Sequence, residues 1–230
     1  MSKLPQRRSS SGQIDKFLTR SREIAERPAP EARLIFAIDA TASRQASWDQ
    51  ACQLQGEMFM ATHNLGGLAV QLSYYRGFND FHASPWLQDE STLLRQMSGV
   101  ECLGGYTQIR RLLEHAQTEH RKQPVKALVF IGDACEENPD ALIGKAGELG
   151  IENLPLFMFQ EGTTPQVESI FKQMARVSGG AWARFDHGSA SELAKLLGAV
   201  ARYAAAGREG LLEYGASGNA GVKLLLEQLR

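Results

Sequence analysis

The sequence predicts an α/β fold with a doubly wound, mostly parallel sheet flanked by helices. Short apolar segments rich in strand-forming residues alternate with longer segments whose apolar residues have helical spacing. The segment 125–131 is almost wholly apolar, as expected for a central parallel strand that is covered on both faces. Glycine pairs at 66–67, 104–105 and 179–180 separate the elements. This alternation is typical of a sheet joined by crossover helices.

The elements follow one another in a regular order after residue 33. The predicted strands are 34–38, 68–75, 78–84, 125–131, 155–159 and 181–185. The third is predicted to be antiparallel to the second, because only a short turn at Gly77 separates them. The predicted helices are 43–64, 91–97, 108–121, 140–149, 166–177 and 191–206.

The chain of 230 residues is interpreted as one main domain with two extensions. Residues 1–30 form a basic, serine-rich tail followed by a short amphipathic helix over 14–24, which Pro28 and Pro30 end. The domain covers 31–206. A linker containing several glycines (207–221) and a short final helix (222–229) make up the C-terminal segment 207–230.

Composition excludes several classes of protein. Hydrophobic residues make up 43% and charged residues 22% of the chain, so a folded core is expected rather than disorder. The net charge of −1 argues against a nucleic-acid binder. No apolar run approaches the roughly 20 residues that span a bilayer, and no secretory signal is visible. Three cysteines without a CxxC pair favour a reduced, cytoplasmic protein.

Oxygen-bearing side chains follow two of the predicted strands and precede one helix. Asp39, Thr41 and Ser43 follow the first strand, Asp133 follows the central strand, and Thr107 comes after a glycine pair. Since ligands of parallel sheets bind beyond the carboxyl ends of the strands, these segments are expected to meet at one edge. Two carboxylates and three hydroxyls suit a hard divalent cation, which would also offset the repulsion between the two aspartates.

These residues resemble the metal-ion-dependent adhesion site of the von Willebrand factor A (VWA) family, whose motif is Asp-x-Ser-x-Ser, a distant Thr and a distant Asp. Asp39, Thr41 and Ser43 match the first part with Thr in place of the first Ser, Thr107 matches the lone Thr, and Asp133 matches the last Asp. The resemblance covers about 33–206. It departs from the pattern at Tyr106, which is inserted between the glycine pair and Thr107, and at the sequence Gly-Asp-Ala around Asp133.

The resemblance implies a Rossmann-like VWA fold and a protein that works by binding rather than by catalysis. It implies Mg²⁺, with Mn²⁺ or Ca²⁺ as alternatives, held by the five matching residues. A partner protein would complete the metal's ligands with an Asp or Glu carboxylate. The role of 207–230 lies outside the resemblance.

Two other functions stay open. In a Mg²⁺-dependent phosphoesterase or related hydrolase, Asp39 would be the nucleophile or a ligand, although Thr41 stands where a haloacid-dehalogenase-like site needs a second Asp. In a metal-free scaffold, the fold would be kept without the ion.

Individual residues of the motif also have structural interpretations. Asp39, Thr41 or Ser43 could cap the helix that follows. The adjacent Glu136 and Glu137 are expected to be solvated loop residues, and Cys135 a small buried thiol.

Overall fold

The computed structural model describes residues 32–65, 67–186, 190–216, 218 and 220–229. Its six strands form one sheet in the order β3-β2-β1-β4-β5-β6, in which only β3 is antiparallel to its neighbour. The strands are β1 (Ala32–Asp39), β2 (Leu68–Arg76), β3 (Asp80–Ala83), β4 (Ala127–Gly132), β5 (Leu156–Glu161) and β6 (Ala181–Phe185). The predicted fold class is confirmed.

Helices cover both faces of the sheet. They are α1 (Gln45–Leu54), α2 (Gly56–Thr62), α3 (Glu90–Ser98), α4 (Ile109–Lys122), α5 (Pro139–Ile151), α6 (Pro165–Ser178), α7 (Ala190–Gly215) and α8 (Ala220–Gln228). Alternate residues of β1 enter two separate cores, with Phe36 on the side of α1–α3, α7 and α8 and Ile35 on the side of α4–α6. The central strands are therefore apolar on both faces, which explains their continuous hydrophobic sequence.

The order of the strands creates a crevice between β1 and β4. The chain leaves β1 towards β2 on one side of the sheet and leaves β4 towards β5 on the other. The two strands are in register from Leu34 with Ala127 to Ile38 with Ile131, so their carboxyl ends lie next to each other. Ligands of open α/β sheets bind at such a switch point. Asp39 and Asp133 stand at these two strand ends.

Two predicted elements differ from the structure. The helix predicted over 43–64 is instead a short 3₁₀ turn (Ala42–Arg44) followed by α1 and α2, which are separated at Gln55. The linker predicted over 207–221 is wrong for most of its length, since α7 continues to Gly215. That helix is interrupted at Ala206 and Gly207, where the φ of Gly207 is +65°. Glycine allows this break without steric cost, and Leu211 beyond it is buried, so packing restores the helix.

The N-terminal segment 1–30 and its predicted helix lie outside the described residues. The predicted antiparallel strand at 78–84 is confirmed as β3, four residues long. Within the described ranges, no helix is both long enough and apolar enough to cross a membrane.

Candidate functional site

Asp39, the last residue of β1, lies fully buried at the switch point. Its Oδ1 accepts a hydrogen bond from the backbone N–H of Thr41 at 2.8 Å, and its Oδ2 accepts one from the Tyr75 hydroxyl at 3.2 Å. Burial raises the pKa of the Asp39 carboxyl, against the lowering effect of the hydrogen bonds from Thr41 and of the Arg44 charge. An ionised carboxylate in this place is therefore costly unless a further positive charge is close to it.

Thr41 and Ser43 begin the turn that follows β1. The Arg44 N–H donates to the Thr41 carbonyl at 2.9 Å, which closes the turn. No side chain of this turn caps the 3₁₀ segment or α1. The cap interpretation of Thr41 and Ser43 is thus wrong, and the Thr41 side chain bonds to the Asp39 carboxylate instead. A cavity of about 240 Å³ is lined by Thr41, Ala42, Ser43, Gly104, Gly105, Thr107, Ala134 and Glu136.

The loop that carries Thr107 is held against the ends of β1 and β2. The Leu103 N–H donates to the Ala40 carbonyl at 3.0 Å, and the Gly77 N–H donates to the Leu103 carbonyl at 3.2 Å. A Cβ on Gly105 would lie 1.8 Å from the Gly77 carbonyl oxygen, so only glycine fits there. The glycine pair is therefore required by a close approach of two backbones, which places Thr107 at the cavity.

Glu136 is an exposed loop residue, as predicted, whereas the prediction of a solvated side chain is wrong for Glu137, which is half-buried. Thr107 and Glu136 exchange two hydrogen bonds of 3.0 Å, since the Thr107 N–H donates to Glu136 Oε2 and the Glu136 N–H donates to Thr107 Oγ1. The Glu137 carboxylate accepts the N–H groups of Ile109 and Arg110. These bonds satisfy the first turn of α4 from a different part of the chain.

Asp133 follows β4 and faces a second cavity. Gly132 leaves room for the Phe130 ring, since a Cβ built on it would lie 2.8 Å from that ring, and the same Cβ would lie 3.7 Å from the Asp39 Cβ, an ordinary contact distance. The second cavity, also of about 240 Å³, is lined by Ser43, Arg44, Asp133, Glu161, Gly162, Thr164 and Asp186. Asp133 Oδ1 is buried and has no hydrogen-bond partner among the described residues.

Arg44 is a part of the site that the sequence did not predict. It is 1% exposed, its Nη1 bonds to Glu161, and the same nitrogen lies 3.7 Å from Asp133 Oδ2. The Ser47 hydroxyl also donates to Glu161. The sequence carried a signal for its partner only: Glu161 ends β5 just as Asp133 follows β4, and polar residues at strand ends lie at this edge of the sheet.

Four of the five predicted ligands are thus divided between two adjoining cavities. Thr41, Ser43 and Thr107 line the first, and Asp133 lines the second, which shares Ser43 with it. Asp39 lines neither, but it interacts electrostatically with Asp133 and is bonded to the Thr41 N–H. In the described part of the chain, no group of three or more His, Cys, Asp or Glu side chains could hold a metal. A cation here would need the hydroxyl oxygens as well as the carboxylates.

No protein-family model matches the sequence, and no curated protein matches it. Several solved structures are similar to this chain in fold. The SpRpn10 VWA domain has a TM-score of 0.57 and 12% identity, and the match covers 73% of this chain and 95% of that one. An aerotolerance-related membrane protein from Bacteroides fragilis has a TM-score of 0.58 and 16% identity, covering 72% and 96%.

The vWF domain of the type V pili tip protein Mfa5 from Porphyromonas gingivalis has a TM-score of 0.54 and 9% identity, and the match covers 75% of this chain and 94% of that one. Identities this low establish likeness of fold. The similarity extends over almost the full length of three solved domains, two of which are described as VWA or vWF domains. The chain has the fold of a von Willebrand factor A domain.

Proposed function

We propose that this protein is a protein-interaction module that binds a partner's Asp or Glu carboxylate through a divalent cation of the Mg²⁺ type. The observation that carries the proposal is the first cavity. Thr41 and Ser43 from one segment and Thr107 from another line it together, at the switch point of the sheet. The cation would be held by these three hydroxyls with Asp39 and Asp133.

The chemistry of these residues fits a hard cation. Asp133 has a buried oxygen without a hydrogen-bond partner among the described residues, and Asp39 is a buried carboxylate whose pKa is raised by burial. Both features favour a positive charge nearby, and oxygen ligands of this kind suit Mg²⁺. When bound, the cation would supply the charge to which a partner's carboxylate attaches. The hydroxyls of Thr41, Ser43 and Thr107 would orient that interaction.

Binding rather than catalysis is part of the proposal. If the protein were a hydrolase, Asp39 would be the nucleophile. However, Asp39 is 0% exposed, and its two oxygens accept hydrogen bonds from Thr41 and Tyr75. A buried carboxylate whose two oxygens accept hydrogen bonds is poorly placed to attack a substrate and instead orients the groups that donate to it. An activity screen with generic phosphoesters distinguishes the binding module from the hydrolase. Hydrolysis by the wild type that is lost in Asp39→Asn would contradict the proposed binding function.

Titration of the full chain with MgCl₂ tests the role of the metal. For a dissociation constant of about 0.1–1 mM, 1 mM Mg²⁺ stabilises the fold by roughly 0.4–1.4 kcal/mol, visible as a rise in melting temperature. Ser43→Ala removes an exposed hydroxyl of the cavity and should abolish the rise. Ser191→Ala, at an exposed serine of α7, is the matched control and should keep it. An equal response in all three proteins would contradict the proposal.

Arg44 favours a second candidate, a metal-free VWA scaffold. Its guanidinium already places a positive charge 3.7 Å from Asp133 Oδ2, which is part of what a cation would do. In a scaffold of this kind, Mg²⁺ would leave the melting temperature unchanged. Partners that copurify with the chain would then be retained in EDTA, whereas the metal-dependent module would release them.

The setting proposed for this function is the cytoplasm. Cys52, Cys102 and Cys135 are all free thiols in the structure, as in proteins of reducing compartments. The partner is proposed to be a protein and not a nucleic acid.

A further inference from the structure

Arg44 is a positive charge fixed inside the proposed metal site. It directly follows Ser43 in the chain, ends the 3₁₀ turn after β1 and is 1% exposed. Its Nη1 bonds to Glu161, the last residue of β5, and lies 3.7 Å from Asp133 Oδ2. Because the side chain is buried, water and salt screen its charge far less than the charge of a surface arginine.

The guanidinium of Arg44 is held by charge more than by hydrogen bonds. Its Nε and Nη2 are buried and have no hydrogen-bond partner in the part of the chain that the structure describes. The Ser47 hydroxyl donates to the same Glu161 carboxylate that Arg44 binds, so the carboxylate is held from two sides. A buried guanidinium with so few hydrogen bonds depends on the carboxylates around it.

The Arg44 charge acts on both aspartates of the proposed metal site. Asp133 is 3.7 Å from the guanidinium, and both residues line the second cavity. Burial raises the pKa of the Asp39 carboxyl, and the Arg44 charge acts on that carboxyl in the opposite direction. Arg44 therefore supplies positive charge to the two carboxylates on which a divalent cation would depend.

A cation bound to Asp133 would be repelled by this arginine. Mg²⁺ binds oxygen at about 2.0–2.1 Å, so a cation on either oxygen of Asp133 would lie within about 8 Å of Arg44 Nη1. At about 8 Å, the repulsion between charges of +1 and +2 weakens binding about sixfold even with the dielectric constant of water. The effect is larger in the less polar surroundings of a buried side chain.

We propose that Arg44 is a tethered competitor of the divalent cation, which shares Asp133 with the metal and keeps the affinity of the site for metal low. The proposal rests on the proposed function for the position of the metal. Without metal, the guanidinium offsets part of the charge of Asp133, so the fold does not depend on the ion. The ion is consequently exchangeable rather than a permanent part of the protein.

Titration of the full chain with MnCl₂ tests this proposal. Mn²⁺ accepts the same oxygen ligands as Mg²⁺, and electron paramagnetic resonance measures the free ion directly. Glu161→Gln keeps the arginine, whereas Arg44→Gln/Glu161→Gln removes it, so these two variants differ in Arg44 alone. We expect the double variant to bind Mn²⁺ at least fivefold more tightly than Glu161→Gln. Arg110→Gln/Glu114→Gln, which neutralises an exposed ion pair, is the matched control and should bind as the wild type does.

Circular dichroism shows which of these variants are folded. Removing both members of a buried ion pair is tolerated far better than removing one, so the double variant should keep the fold. Arg44→Met/Glu161→Met, which fills the same space with apolar groups, is a second form of it. If Glu161→Gln unfolds, the wild type becomes the reference. Losing the Glu161 charge can only weaken the binding of a cation, so tighter binding by the double variant would still be due to Arg44.

The outcomes separate this inference from the proposed function. Mn²⁺ binding by the double variant that is no tighter than that of its reference would overturn the role of Arg44. In that case, binding by the wild type that is lost in Asp133→Asn would leave the proposed function standing. Binding by the double variant but not by the wild type would support the role of Arg44 and contradict the proposed function. No binding by any of the folded proteins would contradict both.

Discussion

Arg44 and Asp133 face each other across the switch point of the sheet, with Arg44 Nη1 3.7 Å from Asp133 Oδ2. The arginine is almost fully buried and bonds more closely to Glu161, while its Nε and Nη2 have no hydrogen-bond partner among the described residues. A buried guanidinium is costly to desolvate, so its place depends on these carboxylates. Any divalent cation that binds Asp133 would have to coexist with this charge.

Arg44→Gln should destabilise the protein strongly. The substitution leaves Glu161 buried without its cationic partner, and breaking a buried ion pair from one side costs about 3–5 kcal/mol. Urea denaturation measures the change in the free energy of unfolding. Arg110→Gln, which breaks an exposed pair with Glu114, is the control and should change it by less than about 1 kcal/mol. If the two variants were equally stable, the buried network would not contribute to the fold.

Gly105→Ala should disturb the loop that carries Tyr106 and Thr107. The new Cβ would lie 1.8 Å from the Gly77 carbonyl oxygen, so one of the two backbones must move. We expect a loss of about 2–3 kcal/mol in the free energy of unfolding and a weaker response to Mg²⁺. Gly104→Ala is the matched control, because the nearest atom to its Cβ would be the Ala42 Cβ at 4.0 Å. Similar losses in both variants would show that the backbone contact is unimportant.

Glu137→Ala should loosen the first turn of α4. The carboxylate accepts the N–H groups of Ile109 and Arg110, and losing such a cap costs about 1–2 kcal/mol. Hydrogen exchange at these two amides should accelerate relative to the middle of the helix. Glu114→Ala removes an exposed carboxylate from the same helix and should leave both amides protected. Unchanged exchange in Glu137→Ala would contradict the capping role.

The sequence is sufficient to place five polar residues near the carboxyl edge of the sheet, because each of them follows a strand or a glycine pair. These residues are Asp39, Thr41, Ser43, Thr107 and Asp133. Local pattern is sufficient for that, since strand ends of a parallel sheet share one edge. The contacts of Arg44 could not be predicted in this way. Its partner Glu161 is 117 residues distant, and nothing in the sequence around Arg44 distinguishes a buried arginine from a solvated one.

The same limit applies to the carboxylates after β4. Glu136 is exposed as a surface loop predicts, but the half-buried Glu137 accepts hydrogen bonds from the backbone N–H groups of Ile109 and Arg110. Only the fold brings those donors close. Conversely, a linker was predicted over 207–221 because the segment contains several glycines, which disfavour helix. In the structure α7 continues to Gly215, and the burial of Leu211 outweighs that preference.

His115 should make the protein less stable in mild acid. It lies on α4 with Nε2 2.8 Å from Gln71 Oε1, and burial lowers its pKa below the ordinary value of 6.5. As the pH falls below about 6.5, the unfolded chain binds a proton that the folded chain does not, so the free energy of unfolding decreases by at most about 1.4 kcal/mol per pH unit. His115→Gln should flatten the dependence between pH 7.5 and 5.5 in urea denaturation, whereas His63→Gln, at an exposed histidine, should not.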